Sequence, residues 1–192
     1  KENFINAFQW LIGLEIFLLI KDPSKVFFTT DHPNGAPFTS YPDLFRLLMD
    51  YNYRMDCASQ INKKSFEMSY LKDLKREYSL NDIAIMTRSA PAKILGLDDR
   101  GSLAPGHIAD ISIYNPKFEI DKMFRKPAFV FKNGQEIVKD GVVRNFKKTQ
   151  TQALNLEYEN SITKHINKWI NKKYNLDVTD LSVDESFFSP NN

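Results

Sequence analysis

The stretch Val26-Phe27-Phe28-Thr29-Thr30-Asp31-His32-Pro33-Asn34 decides how the rest of the chain is interpreted. Its first five residues are almost all apolar or β-branched, which predicts a short strand covered on both faces, as in a parallel sheet. The Pro- and Gly-rich residues that follow predict a loop. An Asp at the end of such a strand is placed to bind a metal ion and to move a proton. The local sequence fits a plain turn or helix-cap Asp equally well.

The composition is that of a globular protein and narrows the function classes. The chain has 192 residues, 42% hydrophobic and 26% charged, enough for one domain or a domain with an appendage. The net charge of +2 predicts no basic face, so nucleic acid is not expected as a partner. The single Cys57 excludes a disulfide framework and an all-Cys metal site, which suits a reducing, cytoplasmic setting.

The apolar stretch from Phe4 to Ile20 is the one membrane candidate. It is shorter than the roughly 20 residues that a membrane helix needs, and Asn6, Gln9 and Glu15 interrupt it. We therefore predict a mostly buried helix from Asn3 to Ile20 and no membrane span. The first residue is Lys1 rather than Met, so we expect the chain to be the C-terminal portion of a longer protein.

The residues between the Asp31 loop and position 100 predict further helices. Leucines at helical spacing predict a helix from about Pro42 to Tyr53. The polar, Lys-rich region 59–77 predicts a surface excursion with a short helix. Ser79 and Asp82 predict the start of another helix, with a kink or break near Pro91 and an end at Gly96.

Beyond Gly101 the pattern changes to short strands joined by turns. Pro105-Gly106 predicts a type II turn. Strands are predicted over 109–114, 128–132 and 136–139, with Asn133-Gly134 as a hairpin turn. Asp140-Gly141 predicts a second turn, into 142–144.

The tail predicts one amphipathic helix, because Ile162, Ile166, Trp169 and Ile170 recur at helical spacing. Leu176 to Leu181 is interpreted as an edge strand. These patterns divide the chain into 1–100, a helical and parallel-strand part, 101–145, a small antiparallel β part, and 146–192, a C-terminal tail.

Two longer strings resemble the metal-dependent amidohydrolase superfamily. Ala90-Pro91-Ala92-Lys93-Ile94-Leu95-Gly96-Leu97 and the following 101–111 are similar to that superfamily's exit from its barrel. Val130-Phe131-Lys132-Asn133-Gly134 is similar to its closing hairpin. The Asp31-His32 pair resembles the cyclic amidohydrolases, such as dihydroorotases and hydantoinases.

A closer resemblance is to the amidohydrolase-like subunits of formylmethanofuran dehydrogenases. It is carried by Asn6-Ala7-Phe8-Gln9-Trp10, Gly13-Leu14-Glu15, Lys21-Asp22-Pro23, residues 29–35, Pro37-Phe38-Thr39 and Arg76-Glu77-Tyr78-Ser79-Leu80. It covers most of residues 3–145 and, more weakly, the tail. The chain departs from the pattern at Ala36, where relatives tend to have a second Gly, and in the Lys-rich region 60–75.

The resemblance implies an α/β fold, namely the C-terminal end of a metal-dependent hydrolase (β/α)8 barrel plus part of a small β-sandwich domain. It implies interconversion of N-formylmethanofuran with formate and methanofuran at a binuclear zinc site, during CO2 reduction in methanogenesis. The implied partners are iron–sulfur subunits and a tungsten or molybdenum subunit.

The resemblance implies that Asp31 is both a metal ligand and the catalytic acid–base group. Its other expected ligands, a His-x-His pair, a carboxylated Lys and two further His, have no counterpart in the sequence, so the zinc site is expected to be completed outside this chain. His32 is either a substrate-facing side chain or a loop histidine packed under the prolines. Asn34 is either a pocket residue or a turn residue.

The remaining candidate residues carry no site signal. His107 and His165 have no partners at metal-ligand spacing and are interpreted as solvated, and Cys57 as structural. The lysines of the region 63–75 are interpreted as a solvated face. The alternative is that an acidic partner protein docks there.

Two other functions remain open at this stage. One is a stand-alone cyclic amidohydrolase or deacetylase acting on C–N bonds, which needs only the superfamily features. The other is a non-catalytic scaffold fragment, which the missing ligands favour.

Overall fold

A computed structural model describes residues 3–146, 157 and 159–182. The chain divides into two compact units, Lys1–Phe146 and Lys147–Asn192. The first unit combines helices with a small antiparallel sheet. Among the described residues, no helix is both long and apolar enough to cross a bilayer.

The helices of the first unit are mostly short. They are α1 Phe4–Leu19, α2 Tyr41–Met49, α3 Tyr51–Ser59, α4 Lys63–Met68, α5 Leu80–Ala84, α6 Ala90–Ile94 and α7 Ile120–Arg125. A π-helical segment, Ile85–Ser89, joins α5 to α6, and 3₁₀ turns occur at Pro23–Lys25, Phe38–Ser40 and Leu71–Asp73.

Helix α1 begins where the sequence predicts, because the Asn3 side chain accepts hydrogen bonds from the backbone N–H groups of Ile5 and Asn6. The prediction that it is mostly buried is only half right. One face, with Leu11 and Leu14, is buried, whereas an apolar stripe on the other face is exposed. We call this surface the α1 stripe; its residues are Ile5, Ile12, Ile16 and Leu19.

The predicted helix from Pro42 to Tyr53 is two helices, because Asp50 interrupts it. Asp50 has an extended backbone (φ −132°), and its carboxylate accepts a hydrogen bond of 2.9 Å from the N–H of Tyr53. Asp50 therefore ends α2 and caps the start of α3.

The region 59–77 contains the predicted short helix, α4, but it is wrong to place the region wholly on the surface. Leu71 and Ser65 are fully buried. Hydrogen bonds to α1 satisfy the polar groups, with Ser65 Oγ donating to the Phe4 carbonyl (2.9 Å) and Ser69 Oγ to Glu15 Oε1 (2.7 Å). The polar residues that suggested solvent exposure instead attach this region to α1.

The capping box predicted at Ser79 is confirmed, since Ser79 and Asp82 exchange side-chain-to-backbone hydrogen bonds. The predicted kink at Pro91 takes the form of the π-helical segment just before it. Proline lacks an N–H and clashes with the preceding turn, and a wider turn accommodates that defect. The helix ends before Gly96, whose φ is +67°.

The sheet follows the predicted hairpins. Its strands are β1 Ile111–Ile113, β2 Phe129–Lys132, β3 Gln135–Lys139 and β4 Val142–Val143, antiparallel in the order β1-β2-β3-β4. Asn133-Gly134 and Asp140-Gly141 both have positive φ, as type I′ hairpin turns require. The predicted strand 109–114 is shorter, and the described residues form one sheet.

The segment 26–30 is extended but pairs with no other strand of the described residues, so the predicted parallel strand is not formed here. Its side chains nevertheless alternate. Val26 is 8% exposed and Phe27 48%, and Phe28 stacks on Phe17 of α1 at 4.6 Å between ring centroids. Residues 26, 28 and 30 therefore face the helices, and Phe27 and Thr29 face away.

The core lies between α1, α2, α3 and the start of α5. Its buried residues are Leu11, Leu14, Leu18, Val26, Leu47, Leu48, Ala58, Leu71, Tyr78, Ile83 and Met86.

In the second unit, the predicted amphipathic helix is confirmed as α8, Ser161–Tyr174. The edge strand predicted at Leu176–Leu181 is wrong. Residues Val178–Leu181 form a 3₁₀ turn instead, because Asp177 and Asp180 form a capping box that favours a helical turn.

Candidate active-site loop

The loop that carries Asp31 is held closed at its base by two backbone hydrogen bonds. The N–H of Gly35 donates to the Asp31 carbonyl at 2.9 Å, and the N–H of Ala36 donates to the Thr30 carbonyl at 2.8 Å. Thr30 itself is buried. The loop therefore projects from a fixed base, with a cis peptide bond between His32 and Pro33.

Asp31 has the left-handed backbone conformation, with φ +48°. Asp adopts this conformation more readily than most residues. Its N–H donates to Thr29 Oγ1 at 3.1 Å. The side chain is exposed and has no hydrogen bond or ion pair with the described part of the chain. A carboxylate in this setting is free to accept a proton or bind a hard metal ion.

His32 stacks on Phe38, with 4.1 Å between the ring centroids and 21° between the ring planes. Both side chains are exposed. The predicted alternative, a histidine packed under the prolines, differs from this arrangement because the flat face of the imidazole lies on Phe38. This contact orients the imidazole without burying its nitrogen atoms.

Asn34 lies at the exposed tip of the loop. Its side chain makes no hydrogen bond to the residues that the structure describes. The amide is therefore available to a ligand, and the turn does not depend on it.

The described residues do not form a metal site by themselves. They contain no group of three or more His, Cys, Asp or Glu side chains arranged to hold an ion. The other histidines are engaged elsewhere, His107 Nδ1 at 3.0 Å from Ser102 Oγ and His165 Nδ1 at 3.3 Å from the Ser161 carbonyl. Asp31 thus fits a metal site as a single ligand only, since zinc takes at least three protein ligands.

A cleft of about 710 Å³ reaches the loop through Phe38. Its wall is largely aromatic and includes Phe28, Phe45, Tyr114 and Phe124. Arg125 also lines the cleft, and its guanidinium donates a hydrogen bond to Asp43 that raises the pKa of Arg125. That cation is therefore already paired.

Two residues of this region escaped prediction from the sequence. Phe38 was part of a family string, but nothing in the pattern placed its ring on His32. Gly35 was explained by turn chemistry alone, although a Cβ atom there would lie 2.6 Å from the Thr30 carbonyl oxygen. A glycine next to a turn is too common to signal such a close approach.

The fold and the loop identify the class of protein. Residues 5–143 match the Amidohydrolase family, and the chain belongs to that family.

Individual relatives narrow the resemblance further. The chain is 37% identical over 187 residues to FhcA, the hydrolase-type component of the Formyltransferase/hydrolase complex Fhc of Methylorubrum extorquens, covering 97% of this chain and 34% of that protein. It is 42% identical over 147 residues to Protein FwdA of Methanocaldococcus jannaschii, covering 72% of this chain and 26% of that protein. These relatives confirm the resemblance to the amidohydrolase-like subunits of formylmethanofuran dehydrogenases.

A solved structure is similar over nearly the whole chain. It is the crystal structure of the formyltransferase/hydrolase complex FhcABCD from Methylorubrum extorquens in complex with methylofuran. The TM-score is 0.84 at 38% identity, covering 98% of this chain and 35% of that chain. The chain thus spans about a third or less of the length of the relatives it matches.

Proposed function

We propose that the complete protein containing this chain is the amidohydrolase subunit of a formyl-carrier complex. It interconverts N-formylmethanofuran with formate and methanofuran by cleaving or forming the amide C–N bond. The similarity to FhcA and to FwdA carries this proposal. It is favoured over a stand-alone cyclic amidohydrolase or a scaffold fragment because those relatives include a component of a hydrolase complex.

We propose that this chain contributes the last strand and helices of a (β/α)8 barrel and part of a small β-sandwich domain. The alternation of the segment 26–30 supports a barrel strand, with one face on the helices and the other toward the barrel interior. The hydroxyl of Thr30 is buried and has no hydrogen-bond partner among the described residues, as expected if its partner lies elsewhere in the protein.

In this arrangement Asp31 follows Phe27 and Thr29 on the interior face at the end of the strand. Catalytic residues of such barrels lie at the carboxyl ends of strands. Asp31 accepts a proton from the water that attacks the formyl carbon and returns it to the leaving nitrogen. Such a positioned group is worth about 10²- to 10⁴-fold in rate.

The expected cofactor is a pair of zinc ions, with Asp31 as one ligand and the others outside this chain. Divalent zinc lowers the pKa of a bound water from 15.7 to about 7. His32, held by Phe38, and the free amide of Asn34 are proposed to contact the substrate from the same loop.

The proposed partners are other subunits of the complex. In a dehydrogenase these are iron–sulfur subunits and a tungsten or molybdenum subunit, which deliver formate made from CO2. In a formyltransferase/hydrolase complex the partner is a formyltransferase, and this second setting is favoured by the name of the Methylorubrum relative. The chemistry at Asp31 is the same in both, and the proposed setting is cytoplasmic.

The test is the variant Asp31→Asn in the complete protein, with formate release from N-formylmethanofuran as the measurement. We expect kcat to fall by about 10²- to 10⁴-fold while the fold is kept. The matched control is Asp22→Asn, where the carboxylate accepts hydrogen bonds only from Ser24 in a 3₁₀ turn. Near-normal turnover in Asp31→Asn would rule out the proton-transfer role.

A further inference from the structure

Gly35 touches the backbone of the loop at the point where Asp31 leaves the extended segment. A Cβ atom on Gly35 would lie 2.6 Å from the Thr30 carbonyl oxygen and 3.3 Å from Asp31 Cβ. The first distance is shorter than any that folded proteins tolerate between a Cβ and a backbone oxygen. Only a residue without a side chain leaves this contact intact.

The requirement at Gly35 is for space and not for an unusual backbone conformation. Five other glycines in the described residues have positive φ, but Gly35 does not. An L-amino acid could therefore adopt its backbone angles without strain. A substitution at Gly35 thus tests the close approach alone.

The clash cannot be relieved by a small movement of a flexible side chain, because the obstructing atom belongs to the backbone. The same Thr30 carbonyl accepts the N–H of Ala36 at 2.8 Å, and Thr30 is buried. The Gly35 N–H donates to the Asp31 carbonyl at 2.9 Å. Moving Gly35 away would break both hydrogen bonds, and moving the other side would shift Asp31.

The Asp31 carboxylate has no bond to the described residues that would hold it against such a shift. Its position depends on the backbone, through the Thr29 hydroxyl, the Gly35 N–H and the empty space beside its Cβ atom. We infer that Gly35 is a positioning residue that sets the place of the Asp31 carboxylate in the reaction. This inference rests on the function proposed for Asp31.

The experiment compares Gly35→Ala with Gly13→Ala in the complete protein. Gly13 lies in α1, where an added Cβ atom meets nothing within 4 Å, and it also lacks positive φ. We expect Gly35→Ala to lower kcat by about 10- to 100-fold, because a displacement near 1 Å at a reacting group costs that much. We expect KM to change by less than about twofold, the zinc content of the protein to fall, and Gly13→Ala to behave as wild type.

A double-mutant cycle with Asp31→Asn separates positioning from general damage. If Gly35 acts only through Asp31, adding Gly35→Ala to Asp31→Asn causes no further loss of formate release or of zinc. A structural defect would cause the same additional loss in both backgrounds.

Two results would overturn the inference: kcat and zinc content of Gly35→Ala within twofold of wild type, or an undiminished effect of Gly35→Ala in the Asp31→Asn background. If Asp31→Asn itself keeps normal turnover, the proposed function fails instead, and the two failures are thereby distinguished.

Discussion

Arg46 Nη1 lies 2.7 Å from Asp121 Oδ1, in an ion pair that joins α2 to α7. A second pair joins the same helices in the opposite sense, from Arg125 of α7 to Asp43 of α2 at 2.5 Å. Helix α2 follows the Asp31 loop, and α7 lies between β1 and β2 in the chain. The two pairs therefore fix the helix behind the loop to the part of the unit that carries the sheet.

We predict that Asp121→Asn lowers the free energy of unfolding by about 1 kcal/mol, near the upper end for incompletely buried pairs. The side chains of Arg46 and Asp121 are 23% and 19% exposed, so water screens them only partly. The loss should shrink in 1 M salt, where the screening length is about 3 Å. Chemical denaturation of the protein and its variant measures both effects.

The control for this pair is Glu119→Gln. Its partner Lys122 lies 2.8 Å away, but the two side chains are 57% and 67% exposed, so we expect almost no change. Equal losses in the two variants would show that α7 responds to any removed charge and that the Arg46 pair has no special role.

Arg54 supports a second stability prediction, because its guanidinium is fully buried and binds backbone carbonyls instead of a carboxylate. It donates to Leu47 (2.8 Å), Leu74 (3.1 Å) and Arg76 (2.9 Å). Burial lowers the pKa of Arg54, but a guanidinium keeps its charge at neutral pH. These bonds attach the segment after α4 to the end of α2.

We expect Arg54→Met to lower the free energy of unfolding by about 3 kcal/mol or more, since it leaves several buried carbonyls without a donor. Arg54→Lys should recover only part of the loss, because an ammonium group cannot span carbonyls on two segments as the fork does. Arg144→Met, at an exposed position, should change stability by less than about 0.5 kcal/mol. A loss no larger than that in Arg54→Met would contradict the structural role.

The features that could be predicted from the sequence are those set by neighbouring residues. The Ser79–Asp82 capping box and the Asn133-Gly134 turn depend on groups three or fewer positions apart. The burial of Leu71 depends instead on α1, more than 50 positions away, where Glu15 accepts the hydrogen bond from Ser69. Polar composition predicted the opposite because it carries no information on distant partners.

The candidate site divides in the same way. The Asp31 loop could be placed because a strand-like run precedes it and turn residues follow. The stacking of His32 on Phe38 and the space required at Gly35 arise from the path of the loop through space. Period and turn signals do not determine that path. The unpaired segment 26–30 shows the reverse case, in which the local pattern predicts a strand whose neighbours are not in the described residues.

Tyr53 predicts a loss of stability in alkali. Burial raises the pKa of Tyr53 to about 12, and a hydrogen bond with Cys57 adds to this shift. An unfolded chain has a tyrosine pKa of about 10, so between these values the folded state binds more protons than the unfolded state. The contribution is complete below about pH 10 and is lost as the pH rises toward 12.

The measurement is the free energy of unfolding as a function of pH, for wild type and Tyr53→Phe. The variant should lack part of the downward slope between about pH 10 and 12. Tyr70→Phe, at a ring that is 72% exposed, controls for loss of a phenol as such. The same slope in wild type and Tyr53→Phe would contradict the assignment.

The α1 stripe predicts that residues 1–146 expressed alone are poorly soluble. Its four apolar residues are between 37% and 62% exposed, and they lie on a helix whose other face is already packed in the core. Exposed apolar patches of this kind promote association. We expect the double variant Ile12→Lys, Ile16→Glu to raise the soluble fraction of the isolated segment, with Asn52→Lys as the control at an exposed polar position. In the complete protein the same double variant should lower stability, because the proposed barrel covers the α1 stripe and would bury two charges. A soluble wild-type segment with a sharp, cooperative thermal transition would contradict the first expectation, and an unchanged complete protein would contradict the second.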